Sequence, residues 1–547
     1  MTIEKHMKKS KTILFIFLTI LNTGILFAQN VTISIDANNA YQTMDGFGTS
    51  LRVFNDPHII GGTTSDPMTS GLIISTAQED NILDLLYNDL KLTRVRPATG
   101  EDGPIEDPND NNDPNNAVIS QFDFGWKKMD AHIDYVSRVI PRGVTTYFPS
   151  TIKIESWMTI SNPEEYAEWA FMIIKRWKDQ GYELPYYSII NEPGYSRGGI
   201  WPGSYIRDCI KLLGPKLDVA GIQTKLVIPD DLNADEAFTR SQVILADSVA
   251  RSYIGALAYH LYGGNNANKT AMMLLGQQYN IPIWMTEYSR PDAFAWGNQI
   301  HDVIANYGVS AVDHMWGFFG QQETNGTQLI SLNFTGTNYT GYTINKQYYV
   351  TGQYSKFIPF GSQRIGALSS NSDVKVTAYK DGTNIAIVVI NNHSNPQSVG
   401  FSLNGLSNIT TLKSVRTSLT ENLNSLSDIT VLNDSFSTTL PANSITTFYN
   451  EQLLNVSKSA TDHTGFTIVY PNPASQIVTV KLVNSFEEET TIRITDINGK
   501  LVFEKAVSSN DQISEIPIHV NNLKNGIYLI NIQMGGRQFS KKLIIHN

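Results

Sequence analysis

Cysteine is nearly absent. The 547-residue chain has one, Cys209, so no intramolecular disulfide can form. Such a chain must hold together through buried apolar cores, and 41% hydrophobic residues can supply them. Cys209 falls in the helical pattern Tyr205–Leu213 with no histidine near it in sequence, so a buried structural thiol is expected, not a nucleophile. Positive charge is also scarce. Lys and Arg number 41 against 51 Asp and Glu, a net charge of −10, which argues against a nucleic-acid partner because phosphate backbones recruit Lys and Arg. No long apolar run follows residue 30, so no membrane span is expected in the mature chain. One catalytic signature is missing as well. The sequence contains no His-Glu-x-x-His, a common mark of zinc hydrolases.

What is present begins with an export pattern. Lys5, Lys8, Lys9 and Lys11 precede the apolar run Ile13–Phe27, and Ala28 before Gln29 offers a small residue at a cut. This predicts a signal peptide over residues 1–28. The rival, a membrane anchor, is disfavoured because the run is short and Asn22 and Thr23 interrupt it. No cysteine stands near the cut, so a lipoprotein is not expected.

Residues 29–45 alternate, with Val31, Ile33 and Ile35 against Thr32, Ser34 and Asp36, as a strand with one buried face does. From 46 to 360, short apolar runs alternate with longer helical stretches. The runs include Leu92–Arg96, Val144–Phe148, Tyr186–Ile190, Lys225–Ile228, Ala256–Tyr259, Ile281–Met285 and Val312–Phe318. Regular strand–helix alternation over this length predicts an α/β fold, a (β/α)8 TIM barrel. One helix shows the logic. Asn162-Pro163-Glu164-Glu165 offers an N-cap, a proline at the first position and acids in the first turn. Tyr166, Trp169, Ala170, Ile173, Ile174 and Trp177 then recur every three or four residues, so these tryptophans are core and not sugar platforms. Residues 361–450 return to strands around the turn Lys380-Asp381-Gly382 and predict a side β-sandwich, which the 29–45 strand joins. Residues 451–465, rich in Ser and Thr, read as a linker. Residues 466–547 predict a small all-β domain.

Chemistry in a barrel sits at the C-terminal ends of the strands. Two runs end there in glutamate: Ile189-Ile190-Asn191-Glu192-Pro193 and Trp284-Met285-Thr286-Glu287-Tyr288. One strand-end glutamate is more often a surface residue. Two on one barrel form the pair that glycosidic cleavage requires, one carboxyl to protonate the leaving oxygen and one carboxylate to stabilise or attack the anomeric centre. The loop Glu106–Asn116 is rich in oxygen ligands and could bind calcium, but it lacks the glycine and terminal glutamate of an EF-hand and is expected to be a solvated loop. No metal and no cofactor is expected.

Over residues 31–450 the chain resembles glycoside hydrolase family 30 of clan A. Gln42-Thr43-Met44-Asp45-Gly46-Phe47-Gly48 resembles the family's first-strand motif and Arg94-Val95-Arg96 its second-strand arginine motif. Asn191-Glu192-Pro193 matches the acid/base position and Thr286-Glu287 the nucleophile position. Gly352–Ile358 followed by Gly361, Arg364 and Ile365 resembles the link from barrel to sandwich. The resemblance implies a retaining hydrolase with Glu192 as acid/base and Glu287 as nucleophile. It further implies that Tyr262 and Arg94 bond the nucleophile's carboxylate, that His260 lines the pocket, and that Asn191 holds a sugar 2-hydroxyl. Taken alone, His260 would rather be a core histidine. Trp157 and Trp316 are candidates to stack on sugar rings, though packing suits them nearly as well. The chain departs from the family's xylanases after the third strand, where it reads Tyr147-Phe148-Pro149-Ser150 in place of a Trp-Ser-Pro-Pro run. It also has no arginine between Arg290 and Arg364, where glucuronoxylan-specific members grip a uronic acid branch.

The last block resembles the C-terminal sorting domain of the Bacteroidetes type IX secretion system. It carries Tyr470-Pro471-Asn472-Pro473-Ala474, Ile494-Thr495-Asp496-Ile497-Asn498-Gly499-Lys500 and Leu523-Lys524-Asn525-Gly526-Ile527-Tyr528, then Lys541-Lys542-Leu543. The resemblance implies the secretion machinery as a partner and a secreted or cell-surface location. A small carbohydrate-binding sandwich is the other reading of this block. The sum is an exported monomer acting on a β-linked polysaccharide. Xylan is the first expectation, without strict dependence on glucuronic acid, and β-1,6-glucan is the alternative. A non-catalytic carbohydrate-binding surface protein and a metal-dependent hydrolase are the rival classes.

Overall fold

The computed structural model describes residues 31–50, 74–99, 129–152, 154, 158, 160–195, 200–320, 327–336, 338–406, 408–450, 466–470, 474–483, 490–496, 500–507, 513–534 and 537–545. The signal peptide, the linker, the Glu106–Asn116 loop and Trp157 lie outside these residues.

Eight parallel strands close a barrel. The first, Gly46–Ser50, pairs with the second at Arg94–Arg96 and with the eighth, Ala311–His314, which completes the ring. The third strand, in two pieces at Thr146–Tyr147 and Ser150–Thr151, follows the second, itself split into Arg94–Arg96 and Ala98–Thr99. Pro97 and Pro149 stand at the breaks, where a residue without an N–H cannot donate to the ladder. The fourth to seventh strands are Tyr186–Ser188, Lys225–Asp231, Ile254–Tyr259 and Ile283–Tyr288, each paired with the next. Helices such as Pro163–Asp179, Gly203–Val219, Ala234–Ala246 and Ala293–Tyr307 lie between them in sequence and cover the ring. In the first of these, the six apolar residues at helical spacing are all buried. Asn162 stands at the N-cap, but its side chain accepts no capping bond, its backbone lying outside the extended conformation that usual caps adopt. In the second, Cys209 is fully buried, and burial pushes its thiol well up.

Glycine at position 48 makes the barrel floor possible. A Cβ there would come within 2.3 Å of Asp313 Oδ1 and 2.4 Å of Arg94 Cβ. The space so freed holds a fully buried Arg94–Asp313 pair, with Phe148, Ala256, Ala258 and Trp284 filling the barrel around it.

Two features depart from the sequence reading. The eighth run ends at His314 and not at Phe318. Beyond Trp316, whose backbone oxygen accepts from Leu329 N–H at 3.0 Å, Phe318–Gly320 leaves the barrel to pair with Ile330–Thr335. That strand in turn pairs with Asn338–Ile344, an added three-stranded sheet beside the eighth strand's end. The fifth strand runs three residues further than Ile228, through Pro229, Asp230 and Asp231.

The side sandwich takes strand Val31–Thr43 into its middle, antiparallel to Gln363–Ser369 and parallel to Gln397–Asn404. Val31, Ile33 and Ile35 face its core with Phe401, Phe436 and Phe448, the first two phenylalanines stacked at 4.2 Å. It grips the barrel through two of the barrel's helices. Thr447 Oγ1 donates to the backbone oxygen of Gln353 at 2.7 Å, and Asn298 Nδ2 donates to Asn392 Oδ1 at 2.8 Å. The C-terminal domain is two antiparallel sheets, Phe466–Tyr470 with Ile477–Val483 and Ile513–His519, and Leu501–Val507 with Thr490–Asp496, Gly526–Met534 and Arg537–Ile545. Val478, Val480, Ile492, Ile494, Ile518, Ile530 and Leu543 share its core.

Candidate active site

The second, fourth, fifth, sixth and seventh strands deliver charged groups to one end of the barrel. Alternation points both Arg94 and Arg96 inward, but Arg96 stands two residues, about 7 Å, nearer the C-terminal end. That offset decides their roles. Arg94, expected to bond the nucleophile's carboxylate, does not reach it. Its Nε and Nη2 donate to Asp313 Oδ1 and Oδ2, each at 3.0 Å, and its guanidinium lies 4.0 Å above the Trp284 ring. Arg96 holds the position instead, with Nη1 donating to Glu287 Oε2 at 3.0 Å. Tyr262 donates its hydroxyl to the other oxygen, Oε1, at 3.0 Å. Two donors, one of them cationic, thus hold both oxygens of Glu287.

Glu192 lies just past the fourth strand in a left-handed conformation, φ 47°. This costs a glutamate roughly 1–3 kcal/mol and persists only where surrounding bonds enforce it. Its N–H donates to the Asp230 carbonyl at 2.9 Å, and its carbonyl accepts the Tyr195 N–H at 2.7 Å. His260, fully buried at the sixth strand's end, places Nδ1 at 2.9 Å from Glu192 Oε1 and 4.0 Å from Glu287 Oε1, with Nε2 3.4 Å from Asp230 Oδ1. Burial pulls this imidazole down, but Glu287, Asp230 and Glu192 outweigh it and hold its pKa up at about 9. The three carboxylates favour its charged form, in which Nδ1–H donates to Glu192. Asn191 turns its side-chain oxygen to Arg96, and its N–H donates to the Thr151 carbonyl at 2.7 Å. Trp316, half-buried, stacks on Phe319 at 5.6 Å beyond the eighth strand. Tyr288 packs edge-on against Tyr262 at 5.3 Å.

Two residues that sequence reasoning passed over belong to this cluster. Arg96 was legible as a position: of two inward-facing arginines, the one nearer the strand's C-terminal end faces the chemistry. Asp230 carried no signal, because an acidic pair after proline reads as a turn. Glu192, His260 and Glu287 each bring one donor atom within 4.8 Å of the others, and by distance alone they could surround a cation. The buried Arg96 on Glu287 and the protonated His260 oppose one, because they already put positive charge beside both carboxylates.

Residues 361–448 match the glycosyl hydrolase family 30 beta sandwich domain, and residues 468–546 the secretion system C-terminal sorting domain, the mark of an exported Bacteroidetes-type protein that is secreted or held at the cell surface. Glucuronoxylanase XynC of Bacillus subtilis is 26% identical over 289 residues, 50% of this chain and 62% of that protein. An endo-1,6-beta-D-glucanase of Aspergillus fumigatus is 27% identical over 220 residues, 36% of this chain and 42% of that protein. The chain thus spans less than two thirds of the length of either relative. A family 30 endoxylanase structure from Clostridium papyrosolvens covers 77% of this chain and 100% of its own, with a TM-score of 0.59 at 23% identity, and so shares the fold. No helix among the described residues is long and apolar enough to cross a membrane. A (β/α)8 barrel clasped to a sandwich that matches the family 30 domain, with strand-end glutamates facing each other across its mouth, makes this chain similar to the glycoside hydrolases of family 30, and the chain ends in a secretion-system sorting domain.

Proposed function

We propose that the protein is an exported retaining glycosidase that cleaves β-linked polysaccharide. The observation that carries this is the pair of glutamates whose carboxylate oxygens come within 4.8 Å of each other. Retention calls for about 5–5.5 Å between the carboxyl groups, against about 6.5–9.5 Å for inversion. Glu287, charged and held by Arg96 and Tyr262, attacks the anomeric carbon. Glu192 gives its proton to the leaving oxygen as the glycosidic bond breaks, and a glycosyl ester forms on Glu287. Glu192 then takes a proton from water, which attacks the anomeric carbon and releases Glu287. In this reading Asn191 meets the sugar 2-hydroxyl and Trp316 is an aromatic wall for a ring.

The substrate we favour is xylan, on the xylanase-like contexts Arg94-Val95-Arg96 and His260-Leu261-Tyr262. Strict dependence on glucuronic acid is not expected, because no arginine stands between Arg290 and Arg364. β-1,6-Glucan is the second reading, supported by a relative with that activity at 27% identity. The C-terminal domain engages the type IX machinery for export. Digestion of a polysaccharide panel, with product chromatography and NMR of the first-formed anomer, tests the reading. Reducing ends with retained configuration are expected from xylan. An inverted first product would overturn the mechanism, and products from β-1,6-glucan alone would overturn the substrate.

A further inference from the structure

We propose that Asp230 is the positioning residue that ties the two catalytic arms together, orienting Arg96 toward Glu287 and His260 toward Glu192 from one buried carboxylate. This rests on the roles proposed above for the two glutamates.

Asp230 is fully buried near the end of the fifth strand. Its Oδ2 accepts from Arg96 Nη2 at 2.8 Å, Ser150 Oγ at 2.8 Å and Ser188 Oγ at 2.7 Å. Its Oδ1 accepts from Thr286 Oγ1 at 2.5 Å and faces His260 Nε2 at 3.4 Å. Its backbone oxygen holds the Glu192 N–H. Groups from the second, third, fourth, sixth and seventh strands therefore converge on one residue of the fifth. Asp230 also adopts a left-handed backbone, φ 57°, which turns its carbonyl to Glu192 while its side chain turns into the barrel.

Charge explains why a carboxylate is needed. Burial alone would protonate Asp230, but Arg96, His260 and Ser188 outweigh it and hold it well below the usual carboxylate range. Asp230 in turn helps keep His260 charged despite full burial. The charged or titratable groups facing His260 are Glu192 from the fourth strand's end, Asp230 from the fifth, Glu287 from the seventh and Tyr262 from its own segment, with Arg96 on the far side of Asp230. With both nitrogens protonated, Nδ1–H fixes Glu192 Oε1 and Nε2–H faces Asp230. An asparagine could not serve both cations, because its amide would turn a donor toward Arg96 or toward His260.

The test compares the full-length wild type with Asp230→Asn. Activity is followed as kcat and KM on the glycan that the wild type degrades. The His260 imidazole is titrated by NMR, its signal assigned by its loss in His260→Gln. In Asp230→Asn, kcat should fall on the order of 10²- to 10⁴-fold with KM within a few fold, as when the carboxylate behind a catalytic histidine is neutralised. The His260 midpoint should fall by at least one unit toward its ordinary value of about 6.5. An unmoved midpoint, or a rise in KM with kcat retained, would overturn the proposal. If Asp230→Asn does not fold, Ser188→Ala decides. It removes one donor to Oδ2 without touching a charge, and should lower kcat about threefold to tenfold at constant KM and melting temperature. Unchanged kcat in that variant would overturn the proposal. The His260 titration needs no turnover. A wild type that cleaves no glycan would thus end the functional reading while the midpoint still tests the hub.

Discussion

The two arginines of the second strand offer a sharp experiment, because one amino-acid type at neighbouring inward positions does two different things. Arg94 is wholly buried, bonds Asp313 twice at 3.0 Å and lies over Trp284 at 4.0 Å, and its Nη1 finds no hydrogen-bond partner among the described residues. Arg94→Met keeps the stem's volume and removes the charge. It leaves Asp313 buried and unpaired, at a cost of about 3–5 kcal/mol, with up to about 2 kcal/mol more for the lost cation–π contact. Burial already raises the Asp313 carboxyl, and losing Arg94 raises it further. The sign follows. An acid whose folded pKa lies above its unfolded value of about 3.9 destabilises the fold as pH rises toward the folded pKa, so the loss is larger at pH 7 than near pH 4. Urea unfolding of Arg94→Met at pH 7 and pH 4.5 should show that difference. Arg94→Met with Asp313→Leu, which removes both charges, should recover most of the stability. Turnover per folded molecule should stay within about tenfold of wild type in both. Arg96→Met loses a charge-assisted bond to Glu287 and should lower kcat/KM by at least roughly 10²-fold. If Arg94→Met unfolds like the wild type but loses as much activity as Arg96→Met, the assignment of Arg94 to the barrel floor and Arg96 to the Glu287 carboxylate is wrong.

Other consequences are as direct. Glu287→Gln should abolish turnover, whereas Glu192→Gln should keep activity on glycosides with activated leaving groups and respond to azide; wild-type rates in Glu287→Gln would end the role assignment. Tyr262→Phe removes one donor to Glu287 Oε1 at 3.0 Å from a residue that is 36% exposed. A loss of about 1.5–3 kcal/mol in transition-state binding, roughly 10- to 100-fold in kcat/KM, is expected with little change in melting temperature. His314 is buried, donates Nε2–H to the Thr327 carbonyl at 2.6 Å, and is held by burial at a pKa of about 4. A base depressed on folding stabilises above its unfolded pKa of about 6.5 and loses that contribution as pH falls through the folded value. The wild type should therefore lose on the order of 3 kcal/mol between pH 6.5 and 4 from this group, and a denaturation series of His314→Gln should lack that part of the slope.

Why some of the site could be read in advance and some could not follows from what each residue answers to. Glu192 and Glu287 stood out because a barrel presents strand ends to substrate, and a carboxylate closing an apolar run is a local fact of sequence. The side sandwich showed itself by the period-2 burial of Val31, Ile33 and Ile35 and by a hairpin whose turn needs Gly382 at φ 59°. Arg94 and Arg96 share a face, and only depth along the strand separates them. Depth depends on the stagger of all eight strands, and with it on Gly48, which leaves room for Arg94 to fold down onto Asp313. Asp230 answers to nothing local. Pro229 ended the strand pattern, and the partners that give the carboxylate meaning are spread from Arg96 to Thr286. The added sheet from Phe318 to Ile344 was hidden in the same way, since its first strand continued the apolar run of the eighth and only its pairing with Ile330–Thr335 sets it apart. Residues that carry out a step tend to be recognisable by type and place. Residues that hold the step in register are defined by convergence, and convergence belongs to the closed barrel.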